Sequence, residues 1–238
     1  MSRICTLILT GQNNHDWARS SAFCRELLES SGRFTVTVTT DPSAALEDAA
    51  TTRDVDLFFI DYNGLDWSAA AQANLEAAVR GGAGVVILHA ANNAFKGWAA
   101  MEQMAGIMWR EGSGHGDYHE FTVRIVDHEH PITAGLADFQ TWDELYHRLA
   151  LMAGASYTVL ATAYSAPEKK GSGRDEPMML VTRFGAGRIF HQVLGHVWPH
   201  DYGGAYKGYT LASFENEGFQ RSLLRGSEWA ATGKVTIE

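Results

Sequence analysis

Residues 84–95 read Gly-Val-Val-Ile-Leu-His-Ala-Ala-Asn-Asn-Ala-Phe, four aliphatic side chains in a row delivered into a turn. A run without polar alternation suits a strand covered on both faces, as in a parallel sheet with helices above and below it. Upstream, residues 69–80 read as an alanine-rich helix closed by Gly81 and Gly82, and residues 54–61 form another compact apolar run. Further out, residues 4–9 are a buried-strand candidate, residues 18–30 space Phe23, Leu27 and Leu28 as a helix does, and residues 34–39 alternate valine with threonine. Strand and helix in alternation predict an α/β fold with a mainly parallel central sheet. Downstream, strands are expected at residues 121–126, 158–162, 178–183 and 188–193, with part of the sheet turning antiparallel, and residues 211–229 are expected to dock a last helix.

The 238 residues are 45% hydrophobic and 20% charged, which describes a globular chain, and neither a linker nor a repeat divides it, so one domain over 1–238 is expected. Nineteen basic against 28 acidic side chains leave a net charge of -9, which argues against a nucleic-acid partner. No apolar run approaches the roughly 20 residues that span a bilayer, so no membrane partner is expected either. The opening residues read as a strand rather than an export signal, and Cys5 and Cys24 form no disulfide framework. A cytoplasmic location is expected.

Open parallel sheets gather ligands beyond the carboxyl ends of their strands. That filter selects His15 after the first strand, His89 after residues 85–88, and His196 after residues 189–194, three histidines that this topology would bring to one cleft. Residues 85–95 have the form of an elbow that presents one side chain above a sheet. The presented residue is His89, where acyl-enzyme chemistry would need serine or cysteine between glycines. Its imidazole can act as acid, base or metal ligand, or simply tie the turn to a carbonyl. His115 and His119, four apart among Gly112, Gly114 and Gly116, are candidate metal ligands, with hydrogen-bonding or surface roles as the alternative. Residues 141–147 crowd Asp143, Glu144, Tyr146 and His147, and in an extended chain Glu144 and Tyr146 share a side, which suits proton transfer or the orienting of a histidine. His130 before Pro131 reads as a turn residue. Trp198, Tyr202, Tyr206 and Tyr209 could stack on a pyranose, with packing as the alternative, and Trp17, Trp98, Trp109 and Trp142 also fall near predicted loops. Residues 165–176 read as a mobile surface loop.

In order, Asn14-His15-Asp16, Val86-Ile87-Leu88-His89, His115 with Phe121 six residues on, His130-Pro131-Ile132-Thr133 with Gly135-Leu136, Asp143-Glu144-Leu145-Tyr146, Gly195-His196 and Arg225-Gly226-Ser227-Glu228-Trp229-Ala230-Ala231 resemble the trehalose-utilisation, or ThuA-like, family over nearly the whole chain. The resemblance implies a flavodoxin-like, class I glutamine amidotransferase-like three-layer sandwich. In it His89 takes the place of the amidotransferase nucleophilic cysteine and His196 lies near that of the triad histidine, so the cleft is kept and glutaminase activity is not expected. It also implies carbohydrate catabolism alongside sugar oxidoreductases that make 3-keto-glycosides.

The expected partner is therefore a small-molecule sugar or keto-glycoside. A ketone at C3 acidifies the neighbouring C–H bonds, so a positioned base forms an enediolate that isomerises, epimerises or eliminates. His15, His89, Glu144, Tyr146 and His196 are the catalytic candidates. A divalent metal such as zinc on His115, His119 and His196 would stabilise the oxyanion, with His15 and His89 as donors in a metal-free alternative and no nucleotide cofactor. Two rival readings are a metal-dependent hydrolase of glycosides or amides, and a non-catalytic sugar-binding or regulatory module. A homo-oligomer is expected.

Overall fold

The computed structural model describes residues 3–198 and 211–238. In chain order the elements are β1 (Ile4–Leu9), α1 (Trp17–Ser30), β2 (Phe34–Thr39), α2 (Pro42–Glu47), α3 (Ala49–Arg53), β3 (Leu57–Ile60), α4 (Ala69–Arg80), β4 (Gly84–Leu88), a 3-10 turn at His89–Asn93, α5 (Ala99–Ala105), β5 (Ile107–Met108), β6 (Gly114–His115), β7 (His119–Ile125), β8 (Phe139–Asp143), β9 (Tyr146–His147), β10 (Ala150–Leu151), β11 (Thr158–Tyr164), β12 (Asp175–Phe184), β13 (Gly187–Gln192) and α6 (Glu217–Thr232). Nine of the strands form one sheet in the order β2-β1-β3-β4-β13-β12-β11-β7-β8. The first five run parallel and the rest continue antiparallel, as the sequence leads one to expect.

Alternation within the apolar strands supplies two cores. Ile4, Ile8, Leu57, Phe59, Val86 and Leu88 pack with Cys24 and Leu28 of α1 and with Phe219 and Leu223 of α6. Leu7, Leu9, Phe58, Ile60, Val85 and Ile87 pack on the other face with Leu75 and Val79 of α4 and Met101 and Met104 of α5. The result is a three-layer α/β sandwich. Helix starts follow local chemistry: Asp16 caps α1 through the Arg19 amide, and Ser68 caps α4 through the Ala71 amide.

Three details differ from the sequence reading. Residues 54–61 hold a shorter strand, because Asp54 closes α3. The last helix begins only at Glu217, where the Asn216 side chain accepts from the Gly218 and Phe219 amides, rather than near residue 211. The segment expected as a mobile loop joins β11 to β12 and is tied down by its own hydrogen bonds, Ser165 N to Arg174 O and Gly173 N to Ser165 O, both at 2.8 Å. Among the described residues no helix is long and apolar enough to cross a membrane.

The chain passes from β1 to β2 on one side and then to β3 on the other, so the strand order reverses between β1 and β3. Open α/β sheets hold ligands at the carboxyl end of such a switch point.

Candidate functional site

His89 stands at the end of β4 with φ 43, in the left-handed region, which costs a non-glycine residue about 1–3 kcal/mol. Its Nδ1 lies 2.6 Å from the Val193 carbonyl oxygen, which can only accept. Nδ1 therefore carries the hydrogen, and in the neutral ring Nε2 is a bare acceptor. Gly195 passes over this elbow with φ 136, and a Cβ there would sit 3.1 Å from the Cβ of His89. Glycine answers both the backbone angle and the lack of room.

His15, in the loop after β1, is set in the same way. Its Nδ1 is 3.2 Å from Asn13 Oδ1 and 3.1 Å from Asn14 Oδ1. Asn13 donates from Nδ2 to Asp61 Oδ1 at 3.1 Å, and Asn63 Nδ2 donates to Asn14 Oδ1 at 2.7 Å, which fixes both amide oxygens as acceptors for His15. Its Nε2 is thereby left as an acceptor too. His196, after β13, completes the group: its Nδ1 lies 3.0 Å from His15 Nε2, 3.3 Å from His89 Nε2 and 3.2 Å from Glu144 Oε2. One nitrogen from each ring falls within 4.8 Å of the others, and all three rings are buried.

Burial pushes His15 and His196 well below the ordinary imidazole range, and repulsion from neighbouring histidines adds to it. Burial lowers His89 as well, against Asp143 and the Val193 carbonyl, which pull it up. Asp143 is fully buried and holds the His196 segment in place, accepting from Gly195 N at 2.8 Å, Ser213 Oγ at 2.5 Å and Glu144 N at 2.7 Å. The Glu144 carboxyl, also 3.3 Å from His115 Nδ1, is raised to about 8 by burial and then by Asp143 and Asp117. Tyr146 stacks on His89 with ring centroids 4.3 Å apart. Burial, with Glu144 and Asp143 beside it, keeps its phenol protonated. The cleft over these groups has a volume of about 140 Å³ and is walled by Trp109 and Trp198, with the amides of Asn14, Asn63 and Asn93 at its edge.

The structure thus brings together His15, His89, Glu144, Tyr146 and His196, with His115 beside Glu144. It does not bring His119 to them: that ring sits at the start of β7, its Nδ1 2.6 Å from the Asp117 carbonyl and its face near Phe121. The expected metal set of His115, His119 and His196 is therefore corrected. The glycine-rich stretch gives no helical turn to align His115 with His119, and the nitrogens that cluster with His196 are those of His15 and His89. Trp198 lies against His196 at 4.4 Å, whereas Tyr202, Tyr206 and Tyr209 lie outside the described residues. Asp61 and Asn13, which hold His15, were missed, although Asp61 follows β3 and passes the strand-end filter that selected the histidines. Asp143 stands in the sequence among acids and in a stretch of the family resemblance, and neither assigns it the task of holding the His196 segment.

A family model described as "ThuA: Trehalose utilisation" matches residues 6–230. The crystal structure of a ThuA-like protein from Parabacteroides merdae is similar at 35% identity and TM-score 0.86, covering 100% of this chain and 93% of that one. The cytoplasmic protein STM3548 from Salmonella typhimurium shares the fold at 13% identity and TM-score 0.62, over 91% of this chain and 95% of that one. A GMP synthase subunit from Thermoplasma acidophilum shares it at 9% identity and TM-score 0.55, over 98% and 96%. No curated protein sequence matches the chain.

Proposed function

Because this chain belongs to the ThuA family, whose description is trehalose utilisation and whose fold is that of the glutamine amidotransferases, we propose that it is an enzyme of carbohydrate metabolism acting on a keto-sugar or 3-keto-glycoside by acid–base chemistry. The observation that carries this reading is the convergence of three neutral imidazoles, two of them with lone pairs aimed at the third, on one side of a carboxyl group.

The donor set fits a divalent metal. Nε2 of His15 and Nε2 of His89 are both acceptors, and the single nitrogen between them has at most one hydrogen to share. A cation resolves that conflict, and the outer nitrogens of His15 and His89 already donate to oxygen, the arrangement that fixes metal-binding imidazoles. His15, His89 and His196 would hold the ion. When bound, it supplies Lewis-acid stabilisation of negative charge on a ketone oxygen.

The remaining chemistry belongs to the chain. Glu144 stands at the edge of the cluster with Oε2 placed to exchange a proton with a C–H bond next to the ketone, and His115 steadies it from the outer side. The Tyr146 hydroxyl, protonated throughout the physiological range, donates to an oxygen of the sugar. Trp109 and Trp198 offer ring faces to a pyranose, and their bulk excludes water from the reacting carbon. No nucleophilic side chain is required, consistent with histidine at the elbow.

Incubation of the zinc-loaded protein with a 3-keto-glucoside in heavy water tests the proposal. Deuterium is expected to appear at C2 by proton NMR, and Glu144→Gln is expected to slow its uptake at least about a hundredfold, the usual contribution of a general base. Conversion with no exchange at C2 would favour hydrolysis, and neither exchange nor conversion across a panel of keto-sugars would leave a binding module.

A further inference from the structure

A cavity larger than the cleft over the histidines lies elsewhere in the protein. This recess, of about 380 Å³, sits at the opposite rim of the sheet, where β12 turns into β13, and is lined by His130, Tyr157, Thr158, Arg183 and Trp229 among others. Two stretches from the family resemblance, around His130 and around Trp229, meet here. Arg225 Nη2 donates to the Pro131 carbonyl at 2.9 Å, and the His130 and Trp229 rings meet edge to face at 4.9 Å. The histidine expected as a plain turn residue thus faces a cavity.

The recess has the chemistry of an anion site. Among the described residues no carboxylate lines it, the nearest to His130 being Asp127, which is engaged by the Glu129 and His130 amides at 3.0 Å. The Arg183 side chain is exposed and, among the described residues, has no hydrogen bond or ion pair. It stands directly across the ladder from Arg188, a like-charge pairing that normally costs stability. Arg188 has another task, donating to the carbonyls of Trp229, Ala230 and Ala231 at the end of α6, and Arg183 has none. His130 Nδ1 accepts from the Ile132 amide at 3.2 Å, so its hydrogen is on Nε2, which finds no acceptor among the described residues. Ser156 and Thr158 line the same recess. On a chain of net charge -9, this gathers donors and an unneutralised cation beside two aromatic rings.

We propose that this recess binds a small phosphorylated metabolite of sugar size, its phosphate on Arg183 and His130 and its ring against Trp229 and Tyr157. A tetrahedral phosphate takes donors from several directions at once, whereas a planar carboxylate is satisfied by the guanidinium alone. The site lies at the far end of the sheet from the catalytic cleft and does not depend on the reaction carried out there.

Calorimetric titration of the full chain tests it with four probes: glucose 6-phosphate, inorganic phosphate, glucuronate and glucose. Glucose 6-phosphate is expected to saturate one site and to bind more tightly than the other three. Arg183→Ala, an exposed position that leaves the core untouched, is expected to weaken it at least about tenfold, the loss of one charge-assisted contact. His89→Ala at the catalytic elbow is expected to leave it unchanged. The proposal is overturned by the absence of saturable binding up to millimolar glucose 6-phosphate, by binding indifferent to Arg183→Ala, or by binding lost in His89→Ala. Glucuronate or inorganic phosphate binding as tightly would overturn the assignment to a phosphorylated sugar.

Discussion

Asp61 is the residue on which a pH dependence can be argued from geometry. Its carboxyl is buried at the end of β3 and accepts from Ser20 Oγ at 2.6 Å and Asn13 Nδ2 at 3.1 Å, yet burial still raises it to about 7. In the unfolded chain an aspartate titrates near ~3.9, so between the two values the folded protein holds a proton that the unfolded chain has released. This group's contribution is fully present below the unfolded value and is lost as pH rises to about 7. Urea titrations at pH 5, 6 and 7 should show that decline, with a slope of up to about 1.4 kcal/mol per unit, and Asp61→Asn should flatten it. An unchanged slope in the variant would assign the decline to other groups. Asp143→Ala should cost about 2 kcal/mol or more, because it leaves the buried amides of Gly195 and Glu144 unpaired while Ser213 falls back on the Trp142 carbonyl; chemical denaturation measures it. The three histidines were legible because each follows a strand. Asn13 was not, since nothing in a lone asparagine tells whether its amide will serve a turn or an imidazole.

Among the elements, α6 carries the clearest expectations. Its cap, Asn216, also donates to the Gln140 carbonyl at 2.7 Å, and Ser213 Oγ, which shares its hydrogen with Asp143, lies 2.8 Å from that of Trp142, so the segment before α6 covers part of the exposed edge of β8. Asn216→Ala should lower stability by about 1 kcal/mol in a denaturant titration. Gly226, in the middle of α6, faces Phe190 of β13, and a Cβ there would lie 2.2 Å from the ring. Gly226→Ala should destabilise by about 1–3 kcal/mol despite alanine's better helix propensity, and a gain in melting temperature would contradict this packing. The long amphipathic helices and apolar strands could be read from the sequence because burial imposes a period. Helices α2 and α3 could not, because six and five residues show no period and rest instead on the Asp41 and Asp48 caps.

For the whole molecule, the sequence pointed to a parallel half followed by an antiparallel one but carried no strand order. β13 pairs with β12 as a local hairpin, but its insertion beside β4 depends on pairings between residues about a hundred positions apart, which no local pattern records. That insertion also decides what holds the cleft together. If the cluster binds zinc, adding zinc to chelator-treated protein should raise the melting temperature in proportion to about 2.7 kcal/mol at a hundred times the dissociation constant, and His196→Ala should abolish the rise. His196 is 181 positions from His15 and 107 from His89. A ribosome making this chain therefore releases two of the imidazoles long before the third, so no amino-terminal fragment that stops short of residue 196 contains all three. Maturation of the cluster must wait until residue 196 has been made, and premature termination anywhere before it would yield a polypeptide with no competence to chelate at this place.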